Sequence, residues 1–450
     1  MFSKILIANR GEIAVRIIRA CREMGISTVA IYSEADKDAM HVQLADESYC
    51  VGGNRVADSY LNMPAILTVA VESGAQAIHP GYGLLSENAK FVSLCEQCNI
   101  KFIGPTSEMI KLLGDKDNAR KTMRAAGVPV TPGCDIVESV EEAKAEAEKI
   151  GFPLLIKARS GGGGKGIRRV DYIEQFEEAF LSASSEAQSA FGDGACYLEK
   201  FIHPVKHIEM QLLCDKYGNT ICLGERECSV QRKNQKMIEE SPSPALDEKT
   251  RKNMMIAAVK AAKAVNYVNA GTVEFLLDMD NNFYFMEMNT RLQVEHGVTE
   301  MVTGLDIVQW QIRIAAGAKL SRTQDSIFTH GNVIECRINA ENPDKGFRPS
   351  CGRITRLHTP GGSFVRFDTA IFQDYFVPPF YDSMIGKLIV QARTRAEAIR
   401  KMKMALSELT IDGIEINRDI LAEILSDEQF VSGEYTTDFM TEFEEKRNLK

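Results

Sequence analysis

The chain is expected to fold as a multidomain α/β and α+β protein. It should comprise an N-terminal parallel-sheet α/β domain, a mobile lid carrying a glycine-rich loop, and a larger mixed C-terminal domain. Three stretches lead to this reading. "KILIANRGEIAVRIIRACREMGISTVAIYS" alternates strand, helix and strand, which implies a parallel sheet. "RSGGGGKG", Arg159 to Gly166, stands between two strand-like runs. From His203 onward strands predominate, among them "HIEMQLLCD", "TICLGERECSV", "GTVEFLLDMD", "NNFYFMEMN" and "NVIECRINA".

In order along the chain, Lys4 to Ala8 is an apolar run, and Ile13, Ile17 and Ala20 share a helical stripe. Gly25 is a stop signal, and Thr28 to Tyr32 reads as the next strand. No Gly-x-Gly-x-x-Gly follows the first strand, so a nicotinamide cofactor is not indicated. Strand-helix alternation continues through "GAQAIHPGYG" and "IKFIGP", and the first domain is expected to span 1–114. A helical connector, 115–130, ends in a Pro/Gly-rich exit. The lid unit, 131–202, opens on a capping signature, Ser139 with Glu142, for a helix that Gly151 ends. Strands "PLLIKA" and "GIRRV" flank the glycines, then a helix from about Glu174 to Ala190 leads into "CYLEKFI". A P-loop needs an earlier glycine, a Ser or Thr after the lysine, and a following helix. Here Arg159 and Gly166 hold those two positions and a strand follows, so the loop is a hairpin whose amides can cover phosphates. The remainder, 203–450, is strand-rich and returns to amphipathic helix beyond Arg393.

Composition narrows the function. Of 450 residues, 44% are hydrophobic and 26% charged, which is ordinary for a globular chain, and the net charge of −9 does not favour nucleic acid or an anionic membrane. No apolar run approaches about 18 residues, and no export signal is seen, so a cytoplasmic protein is expected, or a plastid-stromal one after removal of a transit peptide. Eleven cysteines, odd in number and scattered, read as reduced thiols, and Cys95 with Cys98 lacks the partners a zinc site needs.

The sharpest chemistry lies in "GTVEFLLDMDNNFYFMEMNTRLQVEH". A turn centred between Asp280 and Asn281 would set Glu274 opposite Glu287. In an extended chain Glu287, Asn289, Arg291, Gln293 and Glu295 share one face, with Met286, Met288, Leu292 and Val294 on the core side. Opposed carboxylates repel by roughly 4 kcal/mol at 4 Å and an effective dielectric of 20. A cation between them relieves this, and oxygen donors beside an Asn suit Mg²⁺ or Mn²⁺.

"EMNTRLQVEH", "RECSVQRKNQK", "SGGGGKG", "HPGYGLLSEN" and "YDSMIGKLI", in the right order along the chain and spread over nearly all of it, together resemble the biotin carboxylases of the ATP-grasp superfamily. The resemblance implies ATP bound between the lid and the C-terminal domain, two Mg²⁺ or Mn²⁺ ions, and biotin as a carrier-bound substrate. Lys116, Lys157, Gly162, Gly163, Gly164 and Gly166 resemble phosphate-side contacts. Glu199, Lys200 and Leu276 resemble those at the adenine, and His207, Gln231 and Asn234 those at ribose and phosphate. Glu274, Glu287 and Asn289 resemble the metal ligands. Lys236, Arg291, Gln293 and the Val294 backbone resemble the bicarbonate pocket, and Glu295 the base. Arg337 resembles the group that stabilises the biotin enolate, and Tyr82 and Asp382 sit in motifs near the biotin entrance. One departure is "QRKNQK", where Asn234 replaces a histidine of the best-known bacterial members. Asn can bond a hydroxyl but cannot carry a proton.

The chemistry needs such groups. Phosphoryl transfer to bicarbonate asks for positioning and charge neutralisation, and a carboxylate base suits removal of its proton. A guanidinium grips a planar anion by two bonds, and a lid keeps water from carboxyphosphate. "KMKM", Lys401 to Met404, mimics a biotin attachment site but has helical periodicity, with Ala398, Met402 and Leu406 on one side. Biotin is therefore expected on a separate biotin carboxyl carrier protein, with carboxyltransferase subunits completing an acetyl-CoA carboxylase, pyruvate being an alternative acceptor. A homodimer is implied by the resemblance. The rivals are another ATP-grasp carboxylate–amine ligase, of the carbamoyl phosphate synthetase type, and a silent nucleotide-binding scaffold.

Overall fold

The computed structural model describes residues 1–137, 139–159 and 166–448. Strands β1 (Lys4–Ile7), β2 (Ser27–Ser33), β3 (Glu47–Gly52), β4 (Ala77–His79) and β5 (Lys101–Phe102) form one parallel sheet in the order β3-β2-β1-β4-β5. The helix Gly11–Glu23 buries Ile13, Ile17 and Ala20, the stripe expected of it. It stops where Gly25 takes φ +70°, a region that costs glycine little.

A second, three-stranded sheet is built from β6 (Leu154–Ala158), β7 (Ile167–Val170) and β8 (Cys196–Lys200), in the order β7-β6-β8 and antiparallel throughout. Helices Val140–Ile150 and Phe176–Phe191 cover it, burying Ala143, Ala147, Phe176 and Ala183 against Leu154 and Ile156. Ser139 caps the first of these by accepting from the Glu142 amide. Because Lys157 pairs with Ile167, the glycine loop joins antiparallel neighbours, as a hairpin must. Gly162, Gly163 and Gly164 lie outside the described residues. Gly166, at φ +71°, would place a Cβ 2.7 Å from that of Ala158, so only glycine fits.

The largest sheet has eight antiparallel strands: β9 (Val205–Cys214), β10 (Thr220–Arg232), β11 (Gln235–Ser241), β12 (Asn269–Asp278), β13 (Phe283–Asn289), β14 (Asn332–Asn339), and the strands Val365–Thr369 and Met384–Ala392. Their order runs β13-β12-β9-β10-β11-β14, then Met384–Ala392 and Val365–Thr369. Alternation along β9 decides what each face does. Ile208, Met210 and Leu212 pack with Val273 and Phe275 against the helix Glu248–Ala264. The other face carries His207, Glu209 and Gln211, with Thr272, Glu274 and Leu276 of β12 directly opposite. That face is not solvated. Glu209 and Gln211 are 0% exposed and Glu274 4%, so each charge there needs a partner.

The helix Arg395–Glu408 confirms that "KMKM" is not an exposed hairpin tip. Met402 is buried, and Lys401 donates to the Gln391 carbonyl at 2.7 Å. All eleven cysteines are unpaired; Cys95 is buried and Cys98 exposed at the end of its helix. Among the described residues no helix is long and apolar enough to cross a membrane.

Candidate active site

One row of side chains crosses four strands of the large sheet. Register pairs Arg226 with Glu209, Glu209 with Glu274, and Glu274 with Glu287. The last pairing is the one expected, but the hairpin reaches it differently. Phe275 pairs with Phe285 and Leu276 with Tyr284, so the turn is centred on Asp280, and an extra residue restores the register. That residue is Met286, which sits in a β-bulge and is 36% exposed, not in the core as its parity suggested. A second correction concerns the chain beyond Asn289, which is no longer extended. Met288 and Leu292 are buried as expected, whereas Val294 is half-buried and Glu295 is the N-cap of the helix His296–Thr303.

Despite that bend, the residues converge. Glu274 accepts from Gln293 Nε2 at 2.6 Å, Asn289 Nδ2 at 2.9 Å and Lys236 Nζ at 3.1 Å, with His207 Nε2 also 3.1 Å away. Lys236 reaches Glu209 at 2.7 Å and Glu295 at 2.6 Å as well, so one ammonium serves three carboxylates. Arg337 holds Glu295 from the other side at 2.9 Å and binds Glu239 through Nε at 2.6 Å. Burial opposes charge at each of these groups. The three glutamates outweigh it at Lys236 and hold its ammonium well above the ordinary range. Burial would likewise push Glu295 up, but Lys236, Arg337 and Arg226 pull it well below the usual carboxylate range. At Glu274, Lys236 and His207 do the same.

Arg291 lies two hydrogen bonds from Glu274. Its Nη2 donates to Asn289 Oδ1 at 3.1 Å, and its Nε to Glu87 at 2.9 Å. Gln231 meets His207 Nδ1 at 2.7 Å, which joins that pair to the carboxylate row. Leu276, half-buried, stands opposite His207. Lys116, first residue of the helix Lys116–Ala125, lines a cleft of about 220 Å³ with Glu87, Glu287 and Asn289. Lys157 is ion-paired to Glu199 and half-buried, and Arg120 lies 3.4 Å from the same carboxylate.

Three expected residues are not drawn into this group. Lys200 donates to the backbone carbonyls of Gly151 and Phe152, at 3.2 and 2.8 Å. Asn234 is exposed at the β10–β11 turn, where it and Lys233 take φ +63° and +50°. Positive φ at both central positions is the mark of a type I′ turn, and Asn favours it, so backbone conformation accounts for this residue. Asp382 is exposed and caps its own loop by accepting from the Met384 amide at 2.9 Å. Tyr82 donates its hydroxyl to Glu12.

The site also contains residues that the sequence reading missed. Arg226 is fully buried, paired with Glu209, and donates to Gln211 and Thr299 at 2.8 Å and to Gln293 at 2.6 Å. Glu239, Glu335 and Lys387 are also 0% exposed. The signal was the period of two in His207, Glu209 and Gln211.

The expected metal set fits a divalent cation on one physical ground. Burial and the charge of Glu274 raise Glu287, and among the described residues no side chain hydrogen-bonds or ion-pairs with it. Added positive charge beside Asn289 would be favourable there. His207, Glu209 and Glu274 also bring ligand atoms within 4.8 Å of one another, although Lys236 already occupies the carboxylates of that group.

Comparison with known proteins places this geometry. Residues 1–110 match the biotin carboxylase N-terminal domain, 115–323 the carbamoyl-phosphate synthase L chain ATP binding domain, and 335–442 the biotin carboxylase C-terminal domain. Biotin carboxylase 1 of Bacillus subtilis is 55% identical over 446 residues, covering 99% of each chain. The crystal structure of a Campylobacter jejuni biotin carboxylase–beta-gamma-ATP complex superposes with a TM-score of 0.95 at 50% identity, covering 98% of this chain and 99% of that one. The biotin carboxylase domain dimer of Hydrogenobacter thermophilus 2-oxoglutarate carboxylase, solved with MgADP and bicarbonate, gives 0.93 at 51% identity and 98% coverage of both. Fold and site together define an ATP-grasp ligase. Within that class, the chain belongs to the biotin carboxylase family.

Proposed function

We propose that this chain uses ATP and bicarbonate to carboxylate biotin on a separate carrier protein, the first half-reaction of a multi-subunit acetyl-CoA carboxylase. The observation that carries this reading is Glu295, held between Lys236 at 2.6 Å and Arg337 at 2.9 Å, beside Gln293 and Arg291. In this reading Arg291, Gln293, Lys236 and the Val294 backbone hold bicarbonate, and Glu295 takes its proton. Two of the three cations that depress Glu295 in the resting site, Lys236 and Arg337, are also groups the substrates require. Each contact they give to a substrate anion is withdrawn from Glu295, which regains basicity when the site fills. Lys116, Lys157, Gly162, Gly163, Gly164 and Gly166 orient the ATP phosphates. Glu199, His207, Gln231 and Leu276 hold the nucleoside. Glu274, Glu287 and Asn289 would hold Mg²⁺ or Mn²⁺, which neutralises phosphate charge during transfer. Arg337 stabilises negative charge on the ureido oxygen, with Tyr82 at the entrance. Residues 131–202 act as the lid over 203–450, keeping water away from the activated bicarbonate. The working unit is a homodimer.

The test is ADP release in the presence of Mg²⁺, bicarbonate and free biotin. Glu295→Gln is expected to abolish turnover. Arg337→Ala should spare bicarbonate-dependent ATP cleavage more than biotin carboxylation, and equal loss of both would remove Arg337 from its role. Labelled bicarbonate, followed into acetyl-CoA, pyruvate or 2-oxoglutarate by the complete complex, decides the acceptor. Pyruvate is the alternative to acetyl-CoA, and likeness to the 2-oxoglutarate carboxylase domain adds that keto acid.

A further inference from the structure

Lys387, in the "YDSMIGKLI" stretch, is a fully buried ammonium that none of the assignments above uses. It lies on the strand Met384–Ala392, directly opposite Arg337 of β14. Its Nζ donates to the Val294 carbonyl at 2.7 Å and stands 3.2 Å from Glu12 Oε1. Glu12, at the start of the first helix, accepts the Tyr82 hydroxyl, and the Tyr82 ring centre is 5.9 Å from the same ammonium.

The carbonyl of Val294 belongs to the peptide plane that carries the Glu295 amide. A bond to that oxygen therefore fixes the plane from which the Glu295 side chain departs. Lys236 and Arg337 hold the Glu295 carboxylate, and Lys387, the cross-strand neighbour of Arg337, holds the peptide that precedes it. Taking an ammonium fully out of water is costly, and a neutral core residue would avoid the cost. The lysine nevertheless stays charged, because Glu12, Glu335 and Asp368 outweigh its burial.

We propose that Lys387 is a positioning residue for Glu295: held by Glu12 and Tyr82 of the N-terminal domain, it locks the 294–295 peptide so that the carboxylate meets bicarbonate in register. This deepens the function proposed above and rests on Glu295 being the base. It also makes the wall assigned to biotin and the placement of the base parts of one hydrogen-bonded chain, Tyr82–Glu12–Lys387–Val294.

The test compares three double variants of the full chain, each carrying Glu12→Gln so that the carboxylate in direct contact with Lys387 is not stranded. The partner substitutions are Lys387→Met, Lys387→Gln and Lys387→Arg. Lys387→Met removes the donor. It is expected to lower kcat for bicarbonate-dependent ADP release by about tenfold or more, to shift the acid limb of the pH–rate profile, and to leave ATP affinity near that of the unaltered protein. Lys387→Gln restores a neutral donor to Val294 and should recover most of kcat, whereas Lys387→Arg, whose rigid fork does not fit a single carbonyl, should not. Equal activity in the Met and Gln variants overturns the proposal. So does a parallel loss of ATP affinity, or failure of all three to fold, each of which marks Lys387 as purely structural. If the unaltered protein shows no bicarbonate-dependent ATP cleavage, the function itself falls, an outcome separate from these.

Discussion

Arg226 shows how much of this site hangs on single residues. Its guanidinium is 0% exposed and bonds Glu209, Gln211, Gln293 and Thr299 at once. Replacing one partner of such a buried group leaves the others without compensation, and this costs about 3–5 kcal/mol. Arg226→Met is therefore expected to lose stability on that scale in chemical denaturation. Arg226→Lys should recover little, because one ammonium cannot span the fork. Gln293 would also be freed, so KM for bicarbonate should rise while ATP affinity holds. A stable Arg226→Met protein with unchanged KM would show that the row of charges is not coupled to the anion pocket. At this scale, residues in long motifs were legible: Lys236, Glu274, Arg291, Gln293, Glu295 and Arg337 do meet. Glu209 and Arg226 were not read, because a polar residue on a strand normally faces water and local sequence does not reveal what covers it.

The elements explain why some expectations held only in part. Period-two parity is valid while a strand stays regular, and "FYFMEMNTRLQVEH" breaks that condition twice, with a bulge at Met286 and a bend after Asn289. Both breaks depend on pairing with β12 and on the helix His296–Thr303, which are distant or downstream in the chain. Asn234 illustrates the converse. Its oddity as a motif residue is ordinary for a residue at φ +63° in a tight hairpin. Local signals were strongest at helix termini. Asp115 caps the helix Lys116–Ala125 by accepting from the Asn118 amide at 3.0 Å, and the helix packs on β13. Asp115→Ala should cost about 1 kcal/mol. Because Lys116 is the first helical residue, fraying there should also raise KM for ATP, with KM for bicarbonate little changed. A lowered melting midpoint with unaltered nucleotide kinetics would separate the cap from the phosphate contact.

Across the whole molecule, the sheets appeared in the expected segments, since strand–turn–helix punctuation is local. Their mutual packing was not legible. Glu300 pairs with Arg16, 284 residues away, and with Arg366, contacts that only the closed fold creates. This burial of ionisable groups has a consequence for acid stability. His41, His79 and His296 are each 0% exposed, and burial first, then neighbouring cations, holds them neutral with pKa values of about 4, 3 and 3. Arg10 adds to the effect at His41, Arg16 at His79, and Lys387 at His296. Unfolded, each titrates at about 6.5. Between those limits the unfolded chain binds the extra protons, so stability falls as pH falls, by about 1.4 kcal/mol per pH unit for each histidine. The carboxylates held low, such as Glu295 and Glu300, act in the same direction, but only below the ordinary carboxylate pKa of about 4.5. In the interval from pH 6 to pH 4.5 the histidines are opposed by Glu12, Glu227, Glu239, Glu287 and Glu335, which burial raises, so that the folded chain holds protons there that it releases on unfolding. Denaturation midpoints measured across that interval should show the three-histidine uptake on unfolding reduced by what the raised carboxylates release. His79→Asn keeps an acceptor for the Gly81 amide, which bonds Nδ1 at 3.1 Å, and should remove one of those protons. A slope unchanged in His79→Asn would place the acid-sensitive charges elsewhere.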